Sequence, residues 1–346
     1  MSEKALIRFE NVDKTYTVGS LFNKKNIHAV KNANLNINKG EILGVVGESG
    51  CGKTTLAKLL TNILDISGGE LYVNDIDISK MGKAERKKFR SEVQMIFQDP
   101  FGSLNPAHRI SYIVGRTIGI YNPQFTAVQI REKVKDLFTI VGLTPPEDFM
   151  DKHPNQISGG QRQRIVIARA LAVEPEIIVA DEPTSMLDVS IGIEIMNLML
   201  ELKEKKQLTY MLITHNLASA RYMADRIVVM YGGTLVEESP TDELLENPYH
   251  PYTILLLEST PEPYKKDKKA IEAKEDPANL ADPSPRCMFY KRCPYAMEKC
   301  RKEEPNWYQN GKHRVKCFLY ENIDGPTESL VNIDVYVKKE TEAIDY

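Results

Sequence analysis

Gly47-Glu48-Ser49-Gly50-Cys51-Gly52-Lys53-Thr54 fits the phosphate-binding pattern GxxxxGK[ST], and its flanks decide the fold. The run Ile42-Leu43-Gly44-Val45-Val46 before it reads as a buried parallel strand, and Thr54-Thr55-Leu56-Ala57-Lys58-Leu59-Leu60 starts a helical pattern. Between strand and helix, glycines let the backbone curl until successive N–H groups face a phosphate at the positive end of a helix. Lys53 then reaches the terminal phosphates as a point charge, and the Thr54 hydroxyl takes one Mg2+ position.

Two downstream stretches add chemistry. Ile177-Ile178-Val179-Ala180-Asp181-Glu182 is an apolar strand that releases two carboxylates at its carboxyl end, where open parallel sheets bind ligands. Asp181 suits Mg2+, usually through water, and Glu182 suits a general base, a role worth ~10²–10⁴ in rate. Alone, the pair reads equally well as a strand ending in a solvated turn before Pro183; the phosphate loop upstream weighs against that. Ser158-Gly159-Gly160-Gln161 opens the helical run Gln161 to Ala170, an N-terminus suited to an anion.

With these pieces in order, residues 5 to about 260 resemble the nucleotide-binding subunit of an ABC (ATP-binding cassette) transporter. The resemblance implies an α/β P-loop NTPase cassette with a mostly parallel sheet core, an antiparallel β subdomain and a helical subdomain. It implies that Tyr16 stacks on adenine and that Gly47, Ser49, Gly50, Cys51, Gly52, Lys53, Thr54 and Thr55 line the ATP. Mg2+ falls to Thr54, Gln98 and Asp181. Catalysis falls to Glu182, with Gln98 in the loop that senses Mg2+ and the membrane subunits, and with His215 as the switch that contacts the terminal phosphate. Ser158, Gly159, Gly160 and Gln161 match the signature that caps ATP held by a second cassette, and Ser185-Met186-Leu187-Asp188 matches the dimer loop. ATP is then the glue of a closed dimer that hydrolysis opens. Ile157, Met186 and Asn216 depart from the commoner leucine, alanine and aspartate, and none of them removes a catalytic group.

The subfamily shows in Asn247-Pro248-Tyr249-His250-Pro251-Tyr252-Thr253, with Phe97-Gln98-Asp99-Pro100 and Ser103-Leu104-Asn105-Pro106. These resemble the oligopeptide and dipeptide importer ATPases, and within them the F-type subunit. The resemblance implies three kinds of partner: a homologous D-type ATPase, two membrane permease subunits, and an extracytoplasmic substrate-binding protein. Relatives of this group also carry oligosaccharides or nickel, so peptide and oligosaccharide cargo both stay open; Ile213 to Tyr222 is similar to sugar-carrying relatives. The loop Asp99 to Pro106 is expected to help receive a short helix from the membrane subunit.

Composition agrees with a soluble, cytosolic subunit, and the resemblance implies a peripheral place on the cytoplasmic face of the cell membrane. No apolar run approaches the roughly 18 residues of a span, and Met1-Ser2-Glu3-Lys4-Ala5 lacks the regions of a signal peptide. A net charge of −3 offers no global basic field, so nucleic acid is not an expected partner. A DNA-repair ABC ATPase would need a long coiled-coil insertion and a translation-factor relative two cassettes; neither is present. A nucleotide kinase or small GTPase would leave Ser158 to Gln161 and His215 unexplained. A soluble ABC ATPase outside transport stands as the lesser alternative.

Along the chain, residues 1–262 read as the nucleotide-binding domain, with a helical subdomain at about 99–164. Leu6 to Glu10, Asn34 to Ile37 and Glu70 to Val73 alternate as antiparallel strands, and Gly232-Gly233 marks a hairpin. Residues 263–285 read as a linker, 286–320 as a four-cysteine extension and 321–346 as a tail whose segment Val331 to Val337 alternates. Cys287, Cys293, Cys300 and Cys317 are separated by five, six and sixteen residues. In a reducing cytosol, four clustered thiols suggest a metal centre. Zinc accepts four thiolates but usually through CxxC-like pairs, which are absent; an iron-sulfur cluster tolerates wider spacing. The extension also resembles the carboxy-terminal domain of oligopeptide importer ATPases, where such cysteines can bind a 4Fe-4S cluster. The cluster is the favoured expectation, Zn2+ the alternative, with a structural or regulatory role.

Overall fold

The structure is a computed structural model that describes residues 5–19, 24–259, 280–281 and 284–321. The charged stretch 265–275, most of the expected linker and the alternating segment at 331–337 lie outside the described residues. The strands are β1 (Ile7–Val18), β2 (Lys25–Ile37), β3 (Ile42–Val46), β4 (Gly68–Val73), β5 (Ile76–Asp77) and β6 (Val93–Ile96). They continue as β7 (Ile177–Asp181), β8 (Thr209–Thr214), β9 (Arg226–Tyr231), β10 (Thr234–Pro240), β11 (Tyr308–Asn310) and β12 (His313–Val315). The helices are α1 (Lys53–Leu60), α2 (Lys83–Glu92), α3 (Pro100–Ser103), α4 (Ile110–Tyr121), α5 (Ala127–Ile140) and α6 (Glu147–Met150). After them come α7 (Gly159–Leu171), α8 (Val189–Lys206), α9 (Leu217–Met223), α10 (Thr241–Glu246), α11 (Pro251–Glu258) and α12 (Glu298–Lys302).

Two sheets organise the chain. One is antiparallel in the order β2-β1-β4-β5; the other runs β11-β12-β10-β9-β3-β8-β7-β6. In the larger sheet β9, β3, β8, β7 and β6 are parallel. Every residue of β3, β7 and β8 is buried, as expected when both faces of a parallel sheet are covered. Strand alternation splits these residues between two cores. Val46, Ile178, Ala180 and Leu212 face a core shared with α4, α5, α7 and α8, whereas Val45, Ile177, Val179 and Ile213 face a core shared with α1 and the antiparallel sheet.

Local chemistry accounts for the junctions. Gly232 and Gly233 have φ of 55° and 81°, the left-handed pair that a two-residue hairpin between β9 and β10 demands. Thr126 and Gln129 form a reciprocal capping box at the start of α5.

The four-cysteine region is built onto the main sheet. β12 pairs antiparallel with β10, so this segment extends the main sheet, and Phe289 sits at 2% exposure within the larger core. The physical reason is size: a segment this short cannot bury enough apolar surface alone, and it shares a core instead. A fully buried pair locks the seam, with His313 Nε2 2.7 Å from Glu237 Oε1. Glu237 also accepts the backbone N–H groups of Tyr249 and His250 at 2.6 and 2.9 Å, so its buried carboxylate is satisfied.

Candidate active site

Register brings the catalytic candidates together. Val46 on β3 is level with Thr214 on β8, Ile213 with Asp181 on β7, and Ala180 with Ile96 on β6. The next residues out of the sheet are therefore neighbours: Gly47, His215 and Glu182, with Gln98 two past Ile96. Gln98 Nε2 donates to Glu182 Oε2 at 2.8 Å, and His215 Nδ1 lies 2.9 Å from Glu182 Oε1. Both carboxylate oxygens are thus engaged by the two residues singled out with it. Glu182 itself has a left-handed φ of 47°, and its N–H is held by the Ile213 carbonyl at 2.9 Å.

The phosphate loop is closely fitted to the strand beside it. Gly47 has φ 152°, and a Cβ there would lie 2.2 Å from the Met230 carbonyl oxygen, so only glycine fits. Lys53 opens α1 and is 5% exposed, its Nζ donating to the carbonyls of Gly47 and Glu48 at 2.7 and 2.9 Å. Cys51 is buried, and desolvation pushes its thiol up, which suits packing and not reactivity. Burial likewise pushes the Asp181 carboxyl up, while a hydrogen bond from Thr54 opposes that rise. A hydroxyl bonded to a buried carboxylate is the oxygen-donor set a hard cation takes, so Thr54 and Asp181 fit Mg2+.

The remaining site candidates divide between the phosphate loop and more distant elements. Ser158 caps α7, and Gln161 completes a capping box: Gln161 N–H donates to Ser158 Oγ at 3.3 Å and Ser158 N–H to Gln161 Oε1 at 3.1 Å. The start of α7 packs on the expected dimer loop, since a Cβ at Gly159 would touch Leu187 at 3.4 Å. Ser49 and Gly50 occupy the phosphate loop, and Thr55 follows Thr54 in α1. Tyr16 sits apart on β1, half-buried, with Lys14 Nζ 5.4 Å from its ring centroid.

Cys287, Cys293, Cys300 and Cys317 line one cavity together with His250, Phe289, Tyr295 and Phe318. Desolvation pushes the Cys287 thiol up to about 11 and the Cys293 thiol up to about 12, and raises Cys317 as well. Among the described residues, no group of three or more His, Cys, Asp or Glu side chains gathers around a point that could hold a metal ion. That finding applies to zinc and to an iron-sulfur cluster alike.

The comparisons with known proteins agree with this geometry. The family described as "ABC transporter" matches residues 30–185, and "Oligopeptide/dipeptide transporter, C-terminal region" matches 236–300. The oligopeptide transport ATP-binding protein AppF of Bacillus subtilis is 39% identical over 327 residues, covering 92% of this chain and 98% of the relative. The chain belongs to the ATP-binding subunits of oligopeptide and dipeptide ABC transporters. A second relative of this family, the di/tripeptide transport protein DppF of Pseudomonas aeruginosa, is 40% identical over 300 residues, 86% of this chain and 92% of its own.

Solved cassettes share the fold of the ABC ATPase. The dimeric post-hydrolysis state of the ATP-binding cassette MJ0796 bound to ADP and Pi superposes with a TM-score of 0.61 at 33% identity, covering 68% of this chain and 98% of that one. CbiO1 from Clostridium perfringens gives 0.61 at 27% identity, over 70% and 92%. The chain is thus an ATPase cassette. No helix among the described residues is long and apolar enough to cross a membrane. Sequence reasoning assigns no site role to two residues here: Tyr252, which lies in the subfamily stretch Asn247 to Thr253 and accepts the Glu48 N–H at 2.8 Å, and Arg292, which grips the Glu48 carboxylate.

Proposed function

We propose that this chain is the F-type ATPase subunit of a peptide importer, hydrolysing ATP to drive uptake of oligopeptides or dipeptides. The observation that carries the hydrolytic part is Glu182, held between Gln98 and His215 beside the phosphate loop. On ATP binding, Lys53 exchanges the carbonyls of Gly47 and Glu48 for phosphate oxygens, and the N–H groups from Ser49 to Thr54 surround the phosphates. Glu182 takes a proton from the attacking water, and His215 contacts the terminal phosphate. Thr54 and Asp181, with Gln98 nearby, are the residues that would hold Mg2+, which would neutralise charge on the phosphates.

Ser158 with the N–H groups of Gly159 and Gly160 caps the ATP of a second cassette, a D-type homologue, so that ATP closes the dimer and hydrolysis opens it. Tyr16 takes the adenine ring. Two permease subunits receive the stroke through the loop at Asp99 to Pro106, at the cytoplasmic face, and an extracytoplasmic binding protein delivers the cargo. The names of the relatives, which specify oligopeptides, dipeptides and tripeptides, support peptide over oligosaccharide.

The four cysteines are the residues that would hold a 4Fe-4S cluster. The support is one apolar cavity lined by all four, where burial opposes bare thiolates and favours them only against a positive centre. The test of function is uptake of a labelled short peptide by cells lacking this chain and complemented with either parent or Lys53→Ala. Uptake restored by the parent alone supports the proposal. Uptake of labelled oligosaccharide alone would replace peptide as the cargo.

A further inference from the structure

Glu48, the second residue of the phosphate loop, is held through three of its groups. Its N–H donates to the Tyr252 hydroxyl at 2.8 Å, its carbonyl accepts from Lys53 at 2.9 Å, and its carboxylate accepts both terminal nitrogens of Arg292, at 2.8 and 2.9 Å. Tyr252 comes from α11 and is fully buried; Arg292 comes from the cysteine-bearing segment, one residue before Cys293. The Arg292 side chain is 13% exposed and that of Glu48 35%, so the pair is partly shielded from water.

Arg292 is itself well fixed. Its backbone N–H donates to the Phe289 carbonyl at 3.0 Å, and its guanidinium lies 5.7 Å from the Tyr231 ring and 5.9 Å from that of Phe289. Phe289 in turn packs edge-on against Tyr231 at 5.1 Å and against Tyr252 at 5.5 Å. The segment therefore reaches the loop through a pad of buried rings. A planar guanidinium making two parallel bonds to one carboxylate fixes orientation as well as charge.

The sign of the charge matters too. A carboxylate built into a loop that wraps a triphosphate repels it, and Lys53, which here donates to the Gly47 and Glu48 carbonyls, would turn to the phosphates and leave that carboxylate uncompensated. We propose that Arg292 is a positioning residue for the phosphate loop, which through Glu48 sets the loop's path and cancels a carboxylate that would otherwise oppose ATP. The cysteine-bearing segment is on this view part of the nucleotide site. The inference rests on the reading of that loop as the ATP site, and it holds whatever the four cysteines bind.

The experiment is calorimetric titration of the purified full-length chain with MgATP, in a double-substitution cycle of Arg292→Ala and Glu48→Gln. Arg292→Lys and the exposed neighbour Lys291→Ala accompany it, and circular dichroism melting checks each fold. Arg292→Ala should weaken ATP by about three- to tenfold, Arg292→Lys by about two- to threefold because one parallel bond is lost, and Lys291→Ala not at all. With Glu48→Gln in place, Arg292→Ala and Arg292→Lys should each change affinity by less than about twofold, because no carboxylate remains to be cancelled. Undiminished affinity in Arg292→Ala, or the same loss whether residue 48 is Glu or Gln, would overturn the proposal. If Arg292→Ala does not fold, the Arg292→Lys cycle reads the same coupling. A parent chain that fails to bind MgATP would overturn the ATP reading as well, which separates the two failures.

Discussion

Glu182→Gln tests the hydrolytic assignment at the atom that matters. In the parent, Gln98 Nε2 donates to one carboxylate oxygen at 2.8 Å and His215 Nδ1 lies 2.9 Å from the other. Glutamine keeps the shape, and its oxygen can still accept from Gln98 while its NH2 group donates to a neutral His215 Nδ1, but the amide cannot take a proton. Removing a general base costs about 10²–10⁴ in rate, or about 2.7–5.4 kcal/mol on the barrier at 1.36 kcal/mol per tenfold. Glu182 does not hold the phosphate loop, and its side chain is 15% exposed, so nucleotide affinity and melting temperature should stay near the parent values. Single-turnover hydrolysis in the assembled complex measures the rate. Size-exclusion chromatography with MgATP detects the closed dimer that should accumulate. A single-turnover rate within about threefold of the parent would refute the assignment of Glu182 as the base.

Gly47→Ala forces a side chain at φ 152° to within 2.2 Å of the Met230 carbonyl oxygen, strain of about 1–3 kcal/mol before the clash is counted. Equilibrium titration should show MgATP affinity down by about tenfold or more, and parent-like affinity would contradict the fit of the loop. Phe289→Ala removes a side chain 2% exposed and should cost about 3–5 kcal/mol in urea unfolding; a loss under about 1 kcal/mol would mean that the cysteine-bearing segment does not share the main core. Burial lowers the His250 pKa from 6.5 to about 4, and its neutral Nδ1 accepts the Tyr252 N–H at 3.0 Å. The unfolded chain binds that proton more tightly, so the stability gained from neutral His250 is complete above pH 6.5 and falls away toward pH 4. Urea midpoints across this window should show a shallower pH slope in His250→Asn, and an equal slope would contradict the assignment. Anaerobically purified chain should carry about four irons with matching acid-labile sulfide, lost in Cys300→Ser; zinc at about one per chain, or neither metal, would contradict the cluster.

The nucleotide core was legible because its signals are local. β3 is an unbroken apolar run, the glycines after it announce a turn no other residue could make, and Asp181-Glu182 end a second apolar strand. Gly232-Gly233 likewise carries its hairpin in two residues. What escaped was non-local. Tyr252 and Arg292 meet Glu48 across 204 and 244 residues, and no spacing or periodicity encodes such a contact. β11 and β12 are three residues each, too short for alternation to show, and they become strands by pairing onto the edge at β10. The cysteines were visible as a cluster in sequence, yet composition could not say that the segment carrying them completes the main sheet and touches the phosphate loop.

The most direct measurement is the ATPase rate of the complex reconstituted with the permease subunits, partner ATPase and binding protein proposed for it, with and without short peptides. Hydrolysis that rises with peptide and vanishes in Glu182→Gln is the result expected of a peptide-importer ATPase. Hydrolysis indifferent to peptide but stimulated by oligosaccharides, or surviving the loss of Glu182, would contradict that reading.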